Sequence, residues 1–212
     1  MQFVPRPYHH GDLKNALVDA AADLAAADGP EQVTVRAVAK RVGVTPTAAY
    51  RHFTGHDDLL GAVKDRAMGS LMAAMEKALA TVEPSADPRE TVKRQIAATG
   101  RGYCTFAIDE PGLFRTAFCR DADPDPSKPL GEKLIEHDPY GVLVDAVGAL
   151  VDAGVVAESE RQAVELTAWS AVHGLSTLLI DGPLRLLPDE AKQAAIDDML
   201  AFMTSRWERP AE

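Results

Sequence analysis

Residues 42–53 read VGVTPTAAYRHF, and no other part of the chain says more about the fold. Gly43 predicts a left-handed backbone position that ends one short helix, since glycine adopts a positive φ at little cost. Thr45 and Pro46 predict the start of the next helix, because threonine caps an N-terminus and proline lacks only an N–H that the first helical position does not use. Two short helices joined by a tight turn are typical of a helix-turn-helix.

The first of these helices is predicted to follow Thr34 as its N-cap. Its buried face carries apolar residues at the i, i+3, i+4 and i+7 positions, namely Val35, Val38, Ala39 and Val42. Ala39 is small where the two helices touch. Beyond the turn, the residues predicted to face the core are Val44, Ala49 and Phe53.

The outward side of the second helix has a composition that suits a groove of phosphates and base edges better than it suits water. It combines hydroxyls, a guanidinium and a phenol, in Thr45, Thr47, Ala48, Tyr50, Arg51 and His52. No acidic residue lies between Glu31 and Asp57, although the formal net charge of the chain is −10. On charge alone a chance gap is an equal explanation, and a solvated helical hairpin is the alternative to a DNA-reading one.

The remainder of the chain also predicts helices, because apolar residues recur at helical spacing and strand-like alternation is nearly absent. Besides the two short helices, the expected ranges are 12–28, 55–79, 89–108, a short aromatic helix at 113–118, 140–153, 159–180 and 189–207. The prediction is an all-α protein of about nine helices. Three prolines and three aspartates at residues 121–129 predict a loop.

Composition limits the class of protein. The 212 residues are 46% hydrophobic and 25% charged, which is ordinary for a folded protein. The N-terminus has no basic-then-apolar leader, and no apolar run reaches the roughly 18 residues of a membrane span. We therefore expect a cytoplasmic protein without membrane partners. Two cysteines, Cys104 and Cys119, are too few for a disulfide framework.

The segment from Val42 to Phe53, followed by DDLL at residues 57–60, resembles the signature of the TetR family. With Thr34, Arg36 and Ala39, the resemblance spans roughly residues 12–63. It implies a homodimer that binds a double-stranded DNA operator and responds to a small-molecule effector. The DNA-binding residues that it implies are Thr34, Arg36, Thr45, Pro46, Thr47, Ala48, Tyr50, Arg51, His52 and His56.

Their roles differ under this resemblance. Thr47, Ala48 and Arg51 would face bases, while Tyr50 and the neighbouring His52 would meet phosphates. Where the family usually has a phosphate-binding lysine, this chain has His56. An imidazole is a weaker cation than an ammonium, so His56 predicts operator affinity that depends on pH more than usual.

A second resemblance concerns a TetR subgroup whose C-terminal domain is named for a Trp, His and Gly motif. Residues 8–13 read YHHGDL, which resembles the start of that subgroup, and the chain contains Trp169, His173 and Gly174. Adjacent His9 and His10 are poor candidates for a metal site, because neighbouring residues rarely chelate one ion. Capping or phosphate contact is the better reading, and no metal or cofactor is expected.

The TetR resemblance implies that the second half holds an apolar effector cavity and a dimer interface. The cavity, with the Tyr103 hydroxyl and His173 as polar handles, would be lined by Ile96, Gly100, Tyr103, Cys104, Phe106, Ala107, Phe114, Phe118, Leu143, Val147, Trp169 and His173. Small residues such as Gly100 are expected to leave the space for this cavity. Taken singly, each lining residue is better explained by core packing. The dimer interface is expected from two helices and includes Val172, Leu175, Leu179, Met199, Phe202 and Met203.

These expectations give a helix-turn-helix DNA-binding domain at residues 1–56 and a ligand-sensing and dimerisation domain at residues 57–212. The predicted function is a repressor that a small, largely apolar molecule releases from a palindromic operator by population shift. The alternative is a DNA-binding regulator controlled by a protein partner through residues 121–129. An enzyme is not expected, because the sequence has no Gly-flanked serine elbow and no spaced metal ligands.

Overall fold

The computed structural model describes residues 10–119 and 138–208. Over these two ranges nine α-helices form and no strand is present, so the all-helical class is confirmed. The helices are α1 (His10–Asp28), α2 (Val35–Val42), α3 (Pro46–Ala49), α4 (His56–Leu79), α5 (Pro88–Asp109), α6 (Pro111–Ala117), α7 (Asp138–Asp152), α8 (Arg161–Ile180) and α9 (Asp189–Ser205). The predictions for Tyr8, His9 and residues 121–129 lie outside the described residues.

By its contacts the chain divides into two compact units, and the division falls inside α4, between Ala67 and Met68. Of the described residues, the first unit takes those up to Ala67 together with 112–119, and the second takes the rest. The sequence predicts a domain boundary after residue 56. Helix α4 begins at that residue, His56, and the division between the two units lies further along the same helix. Because helix α6 belongs to the first unit, that unit is not one continuous stretch of sequence.

The first unit has a closed apolar core. The buried residues of one cluster include Leu17 and Ala21 of α1, Val38 of α2, Phe53, which follows α3, and Val63 of α4. Helix α1 ends before Gly29, whose φ of 85° is the positive value that a chain reversal needs there. The first four helices are thus held around a common centre, which fixes the orientation of α3.

Helix α6 joins the first unit by close backbone packing. A Cβ built on Gly112 would lie 2.2 Å from the carbonyl oxygen of Ala25 and 2.4 Å from that of Ala26. Only glycine allows α6 to approach α1 this closely. Leu113 packs against the core of the unit, and the Lys64 ammonium donates to the backbone carbonyl of Cys119 at 2.8 Å.

The second unit is built around α5, which packs against α7, α8 and α9. Its core cluster contains Ile96 of α5, Leu143, Val147 and Leu150 of α7, and Ala168 of α8. These side chains recur at helical spacing on their own helices, which is why the pattern predicted helices there. The core of this unit is therefore made by contacts between segments far apart in sequence.

Helix α8 with the turn that precedes it, Glu158–Ile180, is long and apolar enough to cross a membrane by length and composition. The same helix packs against α5, α7 and α9, which is the behaviour of a core helix. Only 28% of its most apolar stretch is buried. Helix α8 therefore keeps an uncovered apolar face.

Candidate functional site

The turn and caps around α3 have the geometry that the sequence predicts. Gly43 has a φ of 81° and ends α2, and its N–H donates to the Ala39 carbonyl at 3.0 Å. The Thr45 hydroxyl accepts from the Ala48 N–H at 3.2 Å, with Pro46 at the first helical position. Local hydrogen bonds thus set the start of α3, as a helix N-cap requires.

Helix α3 is only four residues long, but helical hydrogen bonding continues beyond it. The Tyr50 N–H donates to the Pro46 carbonyl at 2.9 Å, and the His52 N–H donates to the Ala49 carbonyl at 2.9 Å. Tyr50, Arg51 and His52 therefore stay on the same helical surface as α3. The recognition surface is defined here as Thr45 to His52.

The helical segment that carries the recognition surface has one side in the core and the other in solvent. Ala49 and Phe53 are buried, as predicted, and Phe53 is 2% exposed. Thr47 and Arg51 are exposed, and the Tyr50 side chain is 48% exposed. The other predicted contact residues on this surface are Thr45 and Pro46, which are exposed, and Ala48 and His52, which are half-buried.

Helix α2 supplies a second set of exposed groups. The Thr34 hydroxyl accepts from the Ala37 N–H at 3.1 Å, so this side chain is used as a cap. Arg36 in the first turn is exposed. A capping hydroxyl that also lies at the surface leaves its own proton available for a phosphate oxygen.

His56 begins α4 and is held by the backbone. Its Nδ1 lies 2.7 Å from the Val33 carbonyl oxygen, and because a carbonyl only accepts, Nδ1 donates. Only Nε2 is left to bind another group. Asp58, which sequence reasoning missed, accepts from the Thr54 N–H at 2.7 Å and fixes the same turn. An acidic residue in the first helical turn was the available signal.

Four arginines of the first unit differ in whether a carboxylate pairs with them. Arg41 pairs with Asp23 at 3.3 Å, and Arg66 pairs with Asp19 at 2.8 Å. Among the residues that the structure describes, Arg36 and Arg51 have no carboxylate partner. Lys14 of α1, also missed from sequence, has its ammonium 5.8 Å from the Phe53 ring centre. The unpaired guanidiniums lie on α2 and on the recognition surface.

A second cluster of polar groups lies inside the second unit. Tyr103 of α5 and His173 of α8 share a hydrogen bond of 2.8 Å between the phenol oxygen and Nδ1. The Trp169 ring centre is 6.3 Å from that of His173 and 5.7 Å from that of Tyr140 on α7. The two predicted polar handles therefore meet, with an indole beside them.

Burial changes the acid–base behaviour of this cluster. Desolvation raises the pKa of the Tyr103 phenol well above its usual range, so the phenol stays protonated. Desolvation lowers the pKa of His173 below its ordinary value of 6.5. The pair is therefore neutral at physiological pH.

A buried carboxylate extends the same cluster. Glu165 of α8 is 8% exposed and accepts a hydrogen bond from the Tyr140 hydroxyl at 3.3 Å. Burial, with the adjacent Glu165 charge, raises the pKa of Tyr140. Sequence reasoning missed both residues. The signal was present, because Glu165, Trp169 and His173 are spaced four apart and so share one helical face.

The expectation that Gly100 leaves space for a cavity is wrong. A Cβ on Gly100 would lie 2.7 Å from a Leu200 methyl and 3.3 Å from Val172, so this glycine serves close packing of α5 against its neighbours. Cys104 and Ala107 are fully buried. Burial raises the pKa of the Cys104 thiol to about 11, and its Sγ lies 3.7 Å from the Val172 carbonyl oxygen.

The other predicted cavity residues separate into two places. Ile96, Leu143 and Val147 belong to the core of the second unit, and Phe106 is buried. Phe114 and Phe118 belong to the first unit, where their ring centres are 5.0 Å apart. Core packing, the alternative for each residue singly, accounts for these positions.

The predicted dimer residues also separate. Val172 and Leu179 are buried within the second unit, so the face assigned to a partner is corrected for these two. Leu175, Met199 and Met203 are half-buried. Phe202 is 65% exposed, and on α8 the exposed apolar residue near the N-terminus is Leu166, at 56%. The uncovered face of α8 is defined here as Leu166, Ser170, Gly174 and Leu178.

The chain matches two protein families in separate segments. Residues 17–63 match "Bacterial regulatory proteins, tetR family". Residues 96–203 match "Tetracyclin repressor-like, C-terminal domain", which is about half of the chain. The two matches coincide with the helix-turn-helix segment and with most of the second unit. Neither description names the Trp-His-Gly subgroup, which stays a prediction.

The chain is also similar to a curated regulator and to solved structures. An uncharacterised HTH-type transcriptional regulator, YobS of Bacillus subtilis, is 26% identical over 171 residues, which is 80% of each chain. A protein of unknown function from Rhodococcus sp. RHA1 has a similar structure, with a TM-score of 0.72, 27% identity and coverage of 93% of this chain and 98% of that one. The regulator FadR from Bacillus subtilis, solved in complex with stearoyl-CoA, has a TM-score of 0.63 at 17% identity, covering 90% and 97%.

Proposed function

The chain belongs to the TetR family of bacterial regulators and is therefore a DNA-binding transcriptional regulator, and from this premise we propose that it is a repressor that a small molecule releases from its operator. The observation that carries the DNA-binding part is the recognition surface. Arg51 and Tyr50 are presented in solvent by a helix whose other side, Ala49 and Phe53, is locked in a core. Such a helix inserts into a major groove without rearrangement.

The unpaired arginines support the same surface. In a protein with a net charge of −10, an arginine without a carboxylate partner is free to meet an anion. Arg36 and Arg51 are in that position, whereas Arg41 and Arg66 are neutralised by aspartates. We expect Arg51 to contact a base edge and Arg36 to contact the backbone, with Thr47 and Tyr50 adding hydroxyl contacts.

A dimer is proposed from the uncovered face of α8. Leu166, Gly174 and Leu178 are exposed there. Large exposed apolar patches are rare on soluble monomers and mark interaction sites, and we propose that a second copy of the chain covers this one. Two-fold pairing would place two recognition surfaces about 34 Å apart, the repeat of one turn of DNA, and would match a palindromic operator.

The effector is proposed to bind beside Tyr103, His173 and Trp169. The 2.8 Å hydrogen bond joins α5 to α8 through two neutral polar groups in an apolar interior. A small, largely apolar molecule with one polar atom would compete for that hydrogen bond. Because it would bind preferentially where the α5–α8 contact is altered, it would shift the population between two states of the unit.

Helix α4 supplies a path for the response. It runs without a break from His56 to Leu79, and its residues contribute to both compact units. A displacement of its second half, caused by effector binding, would be transmitted along a continuous helix. By linkage, the effector must then weaken operator binding by the factor by which the operator weakens effector binding.

The central experiment is selection of duplex fragments from the source genome by the purified protein, followed by measurement of affinity for the selected site. Arg51→Ala is expected to weaken operator binding by about tenfold or more and to relax the preference at one base pair. Arg66→Ala is the matched control, because Arg66 is already paired with Asp19. No preference for any duplex over random competitor would overturn the proposal.

A second measurement addresses the effector. Once a releasing compound is found by screening, His173→Ala and Trp169→Ala dimers should keep operator affinity and lose most of the response to it. An unchanged response in both variants would exclude this location. A compound that binds tightly but leaves operator affinity unchanged would exclude the coupling and leave DNA binding intact.

A further inference from the structure

The second unit contains a cleft that neither DNA binding nor the effector cluster uses. It has a volume of about 740 Å³ and lies between the start of α8, the end of α9, the first turn of α5 and the loop at residues 154–157. That volume is in the range of sites that hold small molecules, which run from about 300 to 1,000 Å³. Tyr103 and His173 do not line it.

The lining of this cleft is apolar on its walls and cationic at two points. Val156, Val164, Phe202, Met203 and Trp207 provide the apolar surface. The charged residues are Arg89, Arg206 and Glu160. The Glu160 carboxylate already accepts from the Ala157 N–H at 3.3 Å, so it is partly satisfied by backbone.

Arg89 and Arg206 resemble Arg51 of the recognition surface in lacking a carboxylate partner within the part of the chain that the structure describes. Elsewhere in the second unit, Arg94 pairs with Glu90, Arg161 with Glu158 and Arg101 with Asp197. Among the described residues, Arg89 and Arg206 have no carboxylate partner, and the Arg206 guanidinium carbon lies 5.8 Å from the Phe202 ring centre. A guanidinium held on an aromatic face keeps its donors available for an anion.

We propose that this cleft binds an amphiphilic anion, a carboxylate or phosphate headgroup on an aliphatic body. The headgroup would accept hydrogen bonds from Arg89 and Arg206, and the aliphatic part would lie against Trp207, Phe202 and Val164. Arginine recognises both headgroups through paired N–H donors, so the shared chemistry is the anion and not its source. This site is separate from the Tyr103–His173 cluster and does not require it.

The two tryptophans of the chain allow the sites to be distinguished. Trp207 lines the cleft and Trp169 lies beside His173, and the chain has no third tryptophan. In a Trp169→Phe variant all indole fluorescence therefore reports on the cleft. Decanoate and decyl phosphate, kept below their micelle concentrations, are the anionic probes. Decyltrimethylammonium and decanol are the cationic and neutral controls.

We expect decanoate or decyl phosphate to change Trp207 fluorescence saturably, with the stronger binder identifying the headgroup. Decyltrimethylammonium and decanol should bind at least about tenfold more weakly, because they offer no acceptor charge to a guanidinium. Arg89→Gln with Arg206→Gln should weaken anion binding by about tenfold or more. Arg94→Gln is the matched control on α5, because Arg94 is already paired, and its affinity should not change.

Three results would overturn the proposal. The first is equal affinity for the anionic and cationic probes. The second is calorimetric binding of decanoate to the unaltered protein with Trp207 silent, which would locate the site elsewhere. The third is a shift of the double arginine variant from dimer to monomer in sedimentation with decanoate affinity unchanged, because the cleft would then be a contact between copies. Operator binding is not a readout here, so failure of the proposed repressor function is a separate result.

Discussion

The recognition surface and the Tyr103–His173 cluster present their polar groups in opposite ways. On the recognition surface Tyr50 and Arg51 are exposed, and the apolar residues that support them are buried. In the second unit the polar groups themselves are inside, with desolvated side chains whose pKa values burial has moved. Polar side chains are therefore exposed in the first region and buried in the second.

The two regions also differ in how far apart in sequence the residues lie that orient their polar groups. The caps and turn that orient α3 join residues three or four apart, such as Thr45 with Ala48. The hydrogen bond between Tyr103 and His173 joins residues 70 apart. A surface that local hydrogen bonds orient is readable from sequence, whereas an enclosed pair depends on how whole helices pack.

The largest expected effect concerns the support of the recognition surface. Phe53→Ala should lower the free energy of unfolding of the first unit by about 3–5 kcal/mol, because it removes a buried ring and leaves a cavity. Tyr50→Ala, at an exposed position, should change it by less than about 0.5 kcal/mol while weakening operator binding. Urea denaturation and operator titration of both variants check this. Equal losses of stability would contradict the division into supporting and contacting residues.

The next effect concerns the contribution of α6 to the first unit. Gly112→Ala should destabilise that unit by about 1–3 kcal/mol, since the new methyl would meet the Ala25 and Ala26 carbonyls. Gly141→Ala is the control, because a Cβ there has no neighbour within 4 Å. The measurement is thermal unfolding of both variants. A Gly112→Ala protein as stable as the unaltered one would mean that α6 is not needed by the first unit.

The buried Tyr103–His173 cluster predicts that the stability of the protein depends on pH. Burial lowers the pKa of His173 in the folded protein, so at mildly acidic pH the unfolded chain binds more protons than the folded one. The free energy of unfolding should therefore fall as the pH drops below about 6.5, by at most about 1.4 kcal/mol per pH unit for this group. His173→Gln should flatten the slope between pH 7 and 5.5 in urea titrations. Identical slopes would contradict the prediction.

The smallest expected effect separates two neighbouring hydroxyls. Thr45→Ala removes the cap of α3 and should cost about 1 kcal/mol of stability. Thr47→Ala, at an exposed position without a capping role, should leave stability unchanged within about 0.5 kcal/mol and act only on operator affinity. Denaturation of the two variants in parallel measures the difference. If Thr47→Ala destabilised the protein more, the assignment of the cap would be wrong.

Sequence reasoning located the caps and the turn because each depends on a residue's own conformational preference. Gly43 adopts the positive φ predicted for it, and Thr34 and Thr45 cap the helices predicted for them. It failed at Gly100, where a small residue was taken as space and turned out to be a close contact with Leu200. A small side chain is compatible both with open space and with a close helix contact, and the side chains of the facing helix decide which of the two occurs.

The same limit explains the dimer face and the buried carboxylate. Val172 and Leu179 are as apolar as Leu166 and Leu178, so composition alone does not say which pair turns inward. Glu165 shares a helical face with Trp169 and His173, but the hydrogen bond that its buried carboxylate accepts comes from Tyr140 on another helix. Apolar and charged residues acquire their roles from neighbours on other helices.

By itself the sequence determined the helical class, the caps and turn of the helix-turn-helix and the residues that α3 exposes, since all of these follow from backbone preference and helical periodicity over a few residues. The tertiary structure alone decided that Tyr103 meets His173, that α6 packs on α1, and that Arg89 and Arg206 lie at one cleft. These pairings join distant segments, and their energies exist only once the helices have packed.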